Sequence, residues 1–145
     1  MTFAIEKFPM GRLDDLKAIT NLQENIDYDC VFIVARDDNY KILGVAGVNL
    51  HKHKYPRFEH IIIHPSKYKS KLAFELMQKA EEYLIKIGKD NYVAYIYNEN
   101  KLMQKYAQKW GMKEYSEDKL GKWYFKDLNM PIWTKERKDE YANMV

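Results

Sequence analysis

The sequence is poor in the features that mark secreted and membrane proteins. It contains a single cysteine, Cys30, which excludes an internal disulfide and leaves no second thiol for a zinc site. The longest uncharged apolar stretch, 31–35, is far shorter than the roughly 20 residues that span a bilayer. The N-terminal segment lacks the basic start and long apolar run of a signal peptide. We therefore expect a cytoplasmic protein without membrane association, in which Cys30 is a buried strand residue.

Charge is also nearly balanced. The 24 Lys and Arg residues against 21 Asp and Glu residues leave a net charge of +3, which is too small to indicate a nucleic-acid partner. There is one local excess, because Lys67, Lys69 and Lys71 lie close together with no acid among them. The length of 145 residues suits one core, and no repeat or Pro/Gly-rich linker divides the chain. We predict a single domain over 1–128, followed by a tail over 129–145.

Hydrophobic periodicity predicts helices and strands in alternation. The predicted helices are 12–24, a long amphipathic helix over 72–87 that ends at Gly88, and a shorter one capped by Asn98 or Asn100 and ended by Gly111. The predicted strands are 31–35, 42–50, 58–64, 92–97, 112–116 and 122–128. This order predicts an α/β (α+β) domain with a mixed, mostly antiparallel sheet of about six strands flanked by helices. Strands 58–64 and 92–97 should be parallel, because a helix connects them.

Three consecutive segments carry a family resemblance. The runs IIIHPSKYKSKLAFELMQKAEEYLIKIG, YVAYIYNEN and KLMQKYAQKWGMKEY resemble the core of GNAT proteins, the Gcn5-related N-acetyltransferases. In that family a strand ends in a Val-x-Pro-like turn, a Q/R-x-x-G-x-G/A loop starts the long helix, and a later strand leads to an Asn. The likeness covers roughly residues 30–128. It implies the GNAT fold, acetyl-CoA as co-substrate, and an amine on a small molecule or a protein lysine as the acyl acceptor.

The resemblance also implies a cofactor site. The family loop binds pyrophosphate through backbone N–H groups at the N-terminus of a helix, where the helix dipole favours an anion. Here that loop falls on 68–73, where only Ala73 matches and Lys71 replaces the central glycine. The lysine cluster forms either an anion site or ordinary solvated surface. The cofactor residues implied by the likeness are Ile62, Ile63, His64, Lys67, Lys69, Ser70, Lys71, Leu72, Ala73 and Asn100.

The likeness further implies an acid and a base. Glu59 is the candidate base and His60 the alternative, since imidazole titrates near neutral pH. Neighbouring strand residues face opposite sides, so we expect at most one of them to point into the cleft. Tyr106 is the candidate acid for the departing thiolate, although the family's tyrosine position is Ala107, about 100° away around the helix. Packing of Tyr106 beside Trp110 is the alternative reading of that residue.

Two further segments suggest binding. His51 and His53 place two imidazoles on one side of an extended segment, but no third ligand lies nearby in the sequence, so we predict a solvated loop rather than a metal site. In the tail, Trp133 and Tyr141 stand on a charged segment. This segment is either a helix that docks on a protein partner or one that folds back on its own domain.

Two functions from different classes fit these residues. The first is an acetyl-CoA-dependent N-acetyltransferase. The second is a catalytically degenerate GNAT-fold binding or structural protein, because the loop and the acid depart from the family pattern. Small GNAT-like proteins encoded by short-tailed bacteriophages, some of them virion-associated, are similar in length and in the Lys-rich long helix.

Overall fold

The computed structural model describes residues 1–7, 9 and 26–129, which form one seven-stranded sheet with helices. The strands are β1 (Thr2–Glu6), β2 (Val31–Arg36), β3 (Ile42–Asn49), β4 (Arg57–Ile63), β5 (Asn91–Tyr97), β6 (Lys113–Glu117) and β7 (Gly121–Asp127). The helices are α1 (Leu72–Lys86), α2 (Lys101–Lys109) and a short 3-10 helix, Pro65–Lys67. The predicted helix over 12–24 and the tail beyond Asn129 lie outside the described residues.

The sheet is mixed and mostly antiparallel, as predicted. Its spatial order is β1-β2-β3-β4-β5-β7-β6, and β4–β5 is the parallel pair among the described strands. Six strands lie within two residues of their predicted bounds. The expected number of strands was too low by one, because β1 was not predicted. That strand is short and half exposed, and it is held at the sheet edge by antiparallel pairing with β2.

The two faces of the sheet carry different cores. On one face, which we call the helical face, α1 packs Leu72, Leu76 and Leu84 against strand residues such as Ile33 and Tyr92. On the other face a smaller cluster forms around Phe32, Val34, Val45 and Ile62, next to the buried Cys30. Cys30 is buried as predicted but lies directly before β2, and burial raises the pKa of its thiol to about 12.

The predicted helix ends are confirmed. Gly88 and Gly111 follow α1 and α2 with φ angles of 85° and 83°, a left-handed conformation that other residues adopt at a cost. Asn100, rather than Asn98, caps α2, because its side chain accepts a hydrogen bond from the Met103 N–H at 3.2 Å. No helix in the described part of the chain is long and apolar enough to cross a membrane.

A buried ion pair ties α1 to the sheet. The Lys126 ammonium donates to both carboxylate oxygens of Glu81 at 2.7 and 2.9 Å, and both side chains are at most 1% exposed. The Tyr92 hydroxyl donates to the same carboxylate at 2.6 Å. Helix α1, β5 and β7 therefore meet at one charged group. Since its desolvation is costly, the carboxylate depends on these donors.

We expect Lys126→Met to lower the free energy of unfolding by about 3–5 kcal/mol, because it leaves the Glu81 carboxylate buried without its cation. The matched control is Lys122→Met on the same strand. Lys122 lies 3.4 Å from Glu114, with both side chains about one-third exposed, so its loss should cost about 0–1 kcal/mol. Urea unfolding of both variants measures the difference. Equal losses would show that the buried pair adds nothing beyond a surface pair.

Candidate functional site

The candidate site is a cleft where β4 and β5 separate. The two parallel strands pair at Arg57 with Val93 and at Phe58 with Ala94, and the described register contains no further pair between them. A cleft of about 410 Å³ lies between the strands and against α1 and α2. Its lining residues are Arg57, Phe58, Glu59, His60, Ile61, Ile62, Met77, Ala94, Tyr95, Ile96, Tyr97, Asn100, Met103, Ala107, Trp110 and Met112.

A bulge in β4 stands where the cleft begins. Val48 of β3 pairs with Phe58, but the next β3 residue, Gly47, pairs with His60, so Glu59 is the extra residue. As a result Phe58 packs in the core of the helical face, while His60 stacks on Phe32 on the other face. In a regular strand the two side chains would share one face. The bulge leaves Glu59 outside the described β-ladders on both sides of β4.

Glu59 is the carboxylate of the cleft. Its Oε1 lies 3.4 Å from His53 Nε2 and 3.5 Å from Arg57 Nε, and its side chain is 16% exposed. The carboxylate is therefore largely shielded from solvent and has positively charged or polar nitrogen neighbours on one side. The bulge was not predicted, because it depends on how β4 pairs with β3.

His60 also contributes to the lining, but its ring is engaged elsewhere. Its Nε2 accepts a hydrogen bond from the Asp27 backbone N–H at 2.9 Å, and the ring stacks on Phe32 with centroids 6.5 Å apart. An imidazole nitrogen that accepts a hydrogen bond offers that lone pair to no other proton. Nε2 of His60 is therefore occupied by this hydrogen bond, and the choice between Glu59 and His60 as the base stays a prediction.

The predicted cofactor loop lies beyond the C-terminal end of β4. Of the residues implied there, Ile62 belongs to the cleft lining, whereas 63–73 lie outside it. The His64 ring accepts from the Ser66 N–H at 3.1 Å and caps the 3-10 helix. The Ser70 hydroxyl donates to the Lys67 carbonyl at 2.7 Å and accepts from the Leu72 N–H at 3.2 Å. These contacts fix the loop that leads into α1.

The missing glycine causes no backbone strain in this loop. Lys71, at the position of the family's central glycine, has φ −82° and ψ 9°, a conformation that is found at the third residue of type I turns and does not require glycine. Within the described residues, Tyr40 is the non-glycine residue with a positive φ angle. Lys71 is also the N-cap of α1, and among the described residues its side chain makes no capping hydrogen bond. The lysine side chains at 67, 69 and 71 are half-buried or exposed.

Helix α2 supplies the floor of the cleft. Ala107, at the family's tyrosine position, lines the cleft and is buried, as is Trp110, whereas Met103 is partly buried. Tyr106 is outside the lining, and its ring lies 5.7 Å from that of Trp110. The packing alternative for Tyr106 therefore matches the structure better than the acid role. Asn100 lines the cleft, but its side-chain oxygen is used in capping α2.

Sequence reasoning missed an aromatic surface on the face opposite α1. Tyr95 contacts both Tyr97 and Trp123, with ring centroids 5.3 and 5.0 Å apart, and the Arg57 guanidinium lies 4.8 Å from the Trp123 ring centroid. We call the three rings of Tyr95, Tyr97 and Trp123 the aromatic face. Alternation of Tyr95 with Tyr97 was visible in the sequence, but Trp123 joins them only because β7 lies beside β5.

The Tyr95 ring is fixed in place by its hydroxyl. The hydroxyl donates to Asp118 Oδ1 at 2.6 Å, and this hydrogen bond to the carboxylate is the main cause that raises the pKa of Tyr95 to about 12. The same bond, with the N–H groups of Leu120 and Gly121, lowers the pKa of Asp118. Tyr95 therefore presents a neutral, oriented ring to the cleft. In the part of the chain that the structure describes, no three potential metal-ligating side chains lie together.

Solved structures with a similar fold come from several organisms. They include a GNAT-family acetyltransferase of Staphylococcus aureus Mu50 (TM-score 0.68, 12% identity, 88% of this chain and 99% of that one). PaiA N-acetyltransferase of Thermoplasma acidophilum, in complex with coenzyme A, gives a TM-score of 0.65 at 15% identity (88% and 99%). A chimera of Vibrio cholerae spermidine N-acetyltransferase SpeG with hSSAT gives 0.67 at 14% identity (89% and 98%). At such identities the likeness shows the fold.

A comparison with curated proteins found no match. The sequence model of the acetyltransferase (GNAT) family, in contrast, matches residues 2–112. This match includes the cleft strands β4 and β5, the loop between β4 and α1, and helix α2. Because it spans well over half of the 145 residues, the chain belongs to the GNAT family of acetyltransferases.

Proposed function

We propose that this protein is an N-acetyltransferase that transfers the acetyl group of acetyl-CoA to an amine in the cleft between β4 and β5. The observation that carries the proposal is a shielded carboxylate, Glu59, at the point where the two strands of a GNAT domain separate. A base at this point can reach an amine that enters from one face while the thioester lies along the strand edge.

The backbone of β4 supports binding of the donor. From Glu59 onward β4 has no described ladder partner on its β5 side, so part of its N–H and C=O groups are free to pair with an extended ligand. The pantetheine arm of coenzyme A is extended and contains amide groups, which suit such an edge. Residues Ile62 to His64 continue that edge towards the loop before α1.

The start of α1 is the proposed pyrophosphate site. Its first turn carries the positive end of the helix dipole, which favours a phosphate. Lys67, Lys69 and Lys71 directly precede that end in the chain, and a positive charge near it would be slightly unfavourable without an anion. Backbone N–H groups near Ala73 and the three ammonium groups would share the charge of the pyrophosphate.

We expect the triple change Lys67→Glu, Lys69→Glu and Lys71→Glu to weaken coenzyme A binding by at least about 100-fold at low salt, since charge-assisted contacts each contribute about tenfold or more. Isothermal titration calorimetry measures the affinity. Unchanged affinity would remove the loop from the binding site.

The control for this triple variant reverses the charge at three lysines outside the loop. Lys41, Lys89 and Lys113 are exposed and lie outside the loop. Replacing all three by Glu changes the net charge by the same amount. We expect this control to bind coenzyme A nearly as tightly as the wild type. If both triple variants lose affinity equally, the effect comes from net charge and not from a site.

The proposed reaction uses Glu59 as the base. Its carboxylate takes a proton from the acceptor ammonium, directly or through water, and the neutral amine attacks the thioester carbonyl. A C–N bond forms, the C–S bond breaks, and the coenzyme A thiolate leaves with a proton from the cleft or the solvent. Tyr106 lies away from the lining, so we assign it no step. A thiol is acidic enough (pKa about 8.5 for a cysteine) to leave with little help.

We expect Glu59→Gln to lower kcat/KM for acetyl transfer by about 10²–10⁴-fold, because the amide keeps the shape of the side chain but cannot accept the proton. Acceptor-dependent thiol release from acetyl-CoA measures the rate. Glu82→Gln on the exposed surface of α1 is the control and should match the wild type. Turnover of Glu59→Gln at the wild-type rate would exclude Glu59 as the base.

The same binding and thiol-release assays also distinguish an enzyme from a protein that only binds coenzyme A. A wild-type protein that binds coenzyme A but releases no thiol with amino acids, polyamines or lysine peptides would be a binding module of the GNAT family. Ala107 at the family's tyrosine position is the observation that favours this outcome. Every relative named above is described as an acetyltransferase, which favours turnover.

A further inference from the structure

The cleft also contains a cation whose hydrogen-bonding capacity is largely unused. We propose that Arg57 binds the carboxylate of the acceptor, so that the amine acetylated at Glu59 belongs to an amino carboxylate, in particular a free α-amino acid with an apolar or aromatic side chain. This inference rests on the proposed function, because it names the acceptor class of the same cleft.

The guanidinium of Arg57 is covered on one face by Trp123, its Nε is buried, and the side chain as a whole is 24% exposed. It stacks over Trp123 at 4.8 Å from the ring centroid, an arrangement that leaves its in-plane N–H groups free to donate. Its Nε lies 3.5 Å from Glu59 Oε1, close enough for an ion pair, yet it forms no hydrogen bond with any described residue. One terminal nitrogen makes a marginal 3.5 Å contact with His53 Nε2.

A buried N–H without a partner is unfavourable, and a guanidinium fork matches the two oxygens of a carboxylate. The arginine is held in place, lines the cleft, and is only partly satisfied by Glu59. Because Nε is buried, an incoming carboxylate would be bound by the terminal nitrogens of this partly exposed side chain. The structure thus has the form of a carboxylate receptor beside the proposed base.

The spacing of the two charges fits an α-amino acid. In such a molecule the nitrogen and the carboxylate carbon are separated by one carbon atom, about 2.5 Å apart. Arg57 Nε lies 3.5 Å from Glu59 Oε1, so the two charged groups are neighbours. One zwitterion can therefore place its carboxylate on the terminal nitrogens of Arg57 and its ammonium on Glu59. Both charges of the ligand would then meet an opposite charge.

Charge in the cleft argues against a polycation. Among the described lining residues, Glu59 is the carboxylate and Arg57 the permanent cation, so the two nearly cancel. A polyamine needs several acidic partners for its ammonium groups, whereas a zwitterion needs one partner of each sign. The balance of charge in the cleft therefore favours an acceptor that has both an amino group and a carboxylate.

The aromatic face indicates which side chain the acceptor amino acid carries. Tyr95 and Tyr97 line the same cleft as Arg57, and the Tyr95 ring is oriented by its hydrogen bond to Asp118. Tyr97 is 45% exposed, so part of its ring is open to a ligand. Flat ring surfaces in the cleft that holds the charged pair favour an apolar or aromatic side chain on the acceptor.

The test compares two acceptors that differ by one carboxylate. Wild-type protein is assayed with acetyl-CoA and either phenylalanine or phenethylamine, and kcat/KM is measured by thiol release. We expect phenylalanine to be preferred by about 10–100-fold, the value of a charge-assisted contact. In Arg57→Gln the preference should fall to about one, chiefly through the rate with phenylalanine. Arg57→Lys, which keeps the charge without the fork, should retain part of it.

A preference for phenethylamine or spermidine in the wild type would overturn the inference, as would an equal loss for both acceptors in Arg57→Gln. If turnover is too slow to measure, calorimetry with coenzyme A-saturated protein compares N-acetylphenylalanine and N-acetylphenethylamine. Tighter binding of the acid, lost in Arg57→Gln, supports the inference, and equal binding overturns it. Failure of the protein to bind coenzyme A would instead contradict the proposed function. Melting temperatures of both variants show whether they fold.

Discussion

The structure depends on the short pairing between β4 and β5. Two residue pairs hold the strands together, and beyond Phe58 they separate. A parallel ladder that continued would satisfy the backbone groups of both strands and leave no space between them. Because it stops, the sheet opens a cleft in its own centre and exposes a free strand edge beside Glu59. Both the donor edge and the acceptor face of the proposed site follow from this one interruption.

Such an opening must be stabilised from outside the two strands. On one side β4 is held by its long antiparallel pairing with β3. On the other side β5 is held by β7 along its whole length, and Lys126 of β7 shares the Glu81 carboxylate of α1 with Tyr92 of β5. The two halves of the sheet are thus rigid separately, and α1 bridges them. Contacts of this kind restrict the relative movement of the two halves, which would lower the entropy cost of binding a ligand between them.

The regular elements could be predicted from the sequence because they rest on local patterns. Strand runs, helix periodicity and the glycines after each helix place most boundaries to within two residues. The site could be predicted only in part, because its decisive features are nonlocal. The bulge at Glu59 depends on the register with β3, and the stack of Arg57 on Trp123 depends on β7 lying beside β5. The prediction of Tyr106 as the acid rests on its position next to the family's tyrosine in the sequence, but on the helix its ring lies against that of Trp110.

The loop before α1 shows what a departure from a family pattern means physically. A central glycine would let a phosphate approach the backbone closely, but the φ angle of Lys71 shows that the chain here does not need glycine to form its turn. With lysine at this position, a phosphate has less access to the backbone N–H groups but can interact with the positive charges of flexible side chains. Charges on exposed side chains are screened over about 8–10 Å at physiological salt, whereas backbone N–H groups near a helix start act at short range. An anion bound by a loop of this composition would therefore bind with a stronger dependence on ionic strength, and the loss of the glycine does not by itself imply the loss of the proposed site.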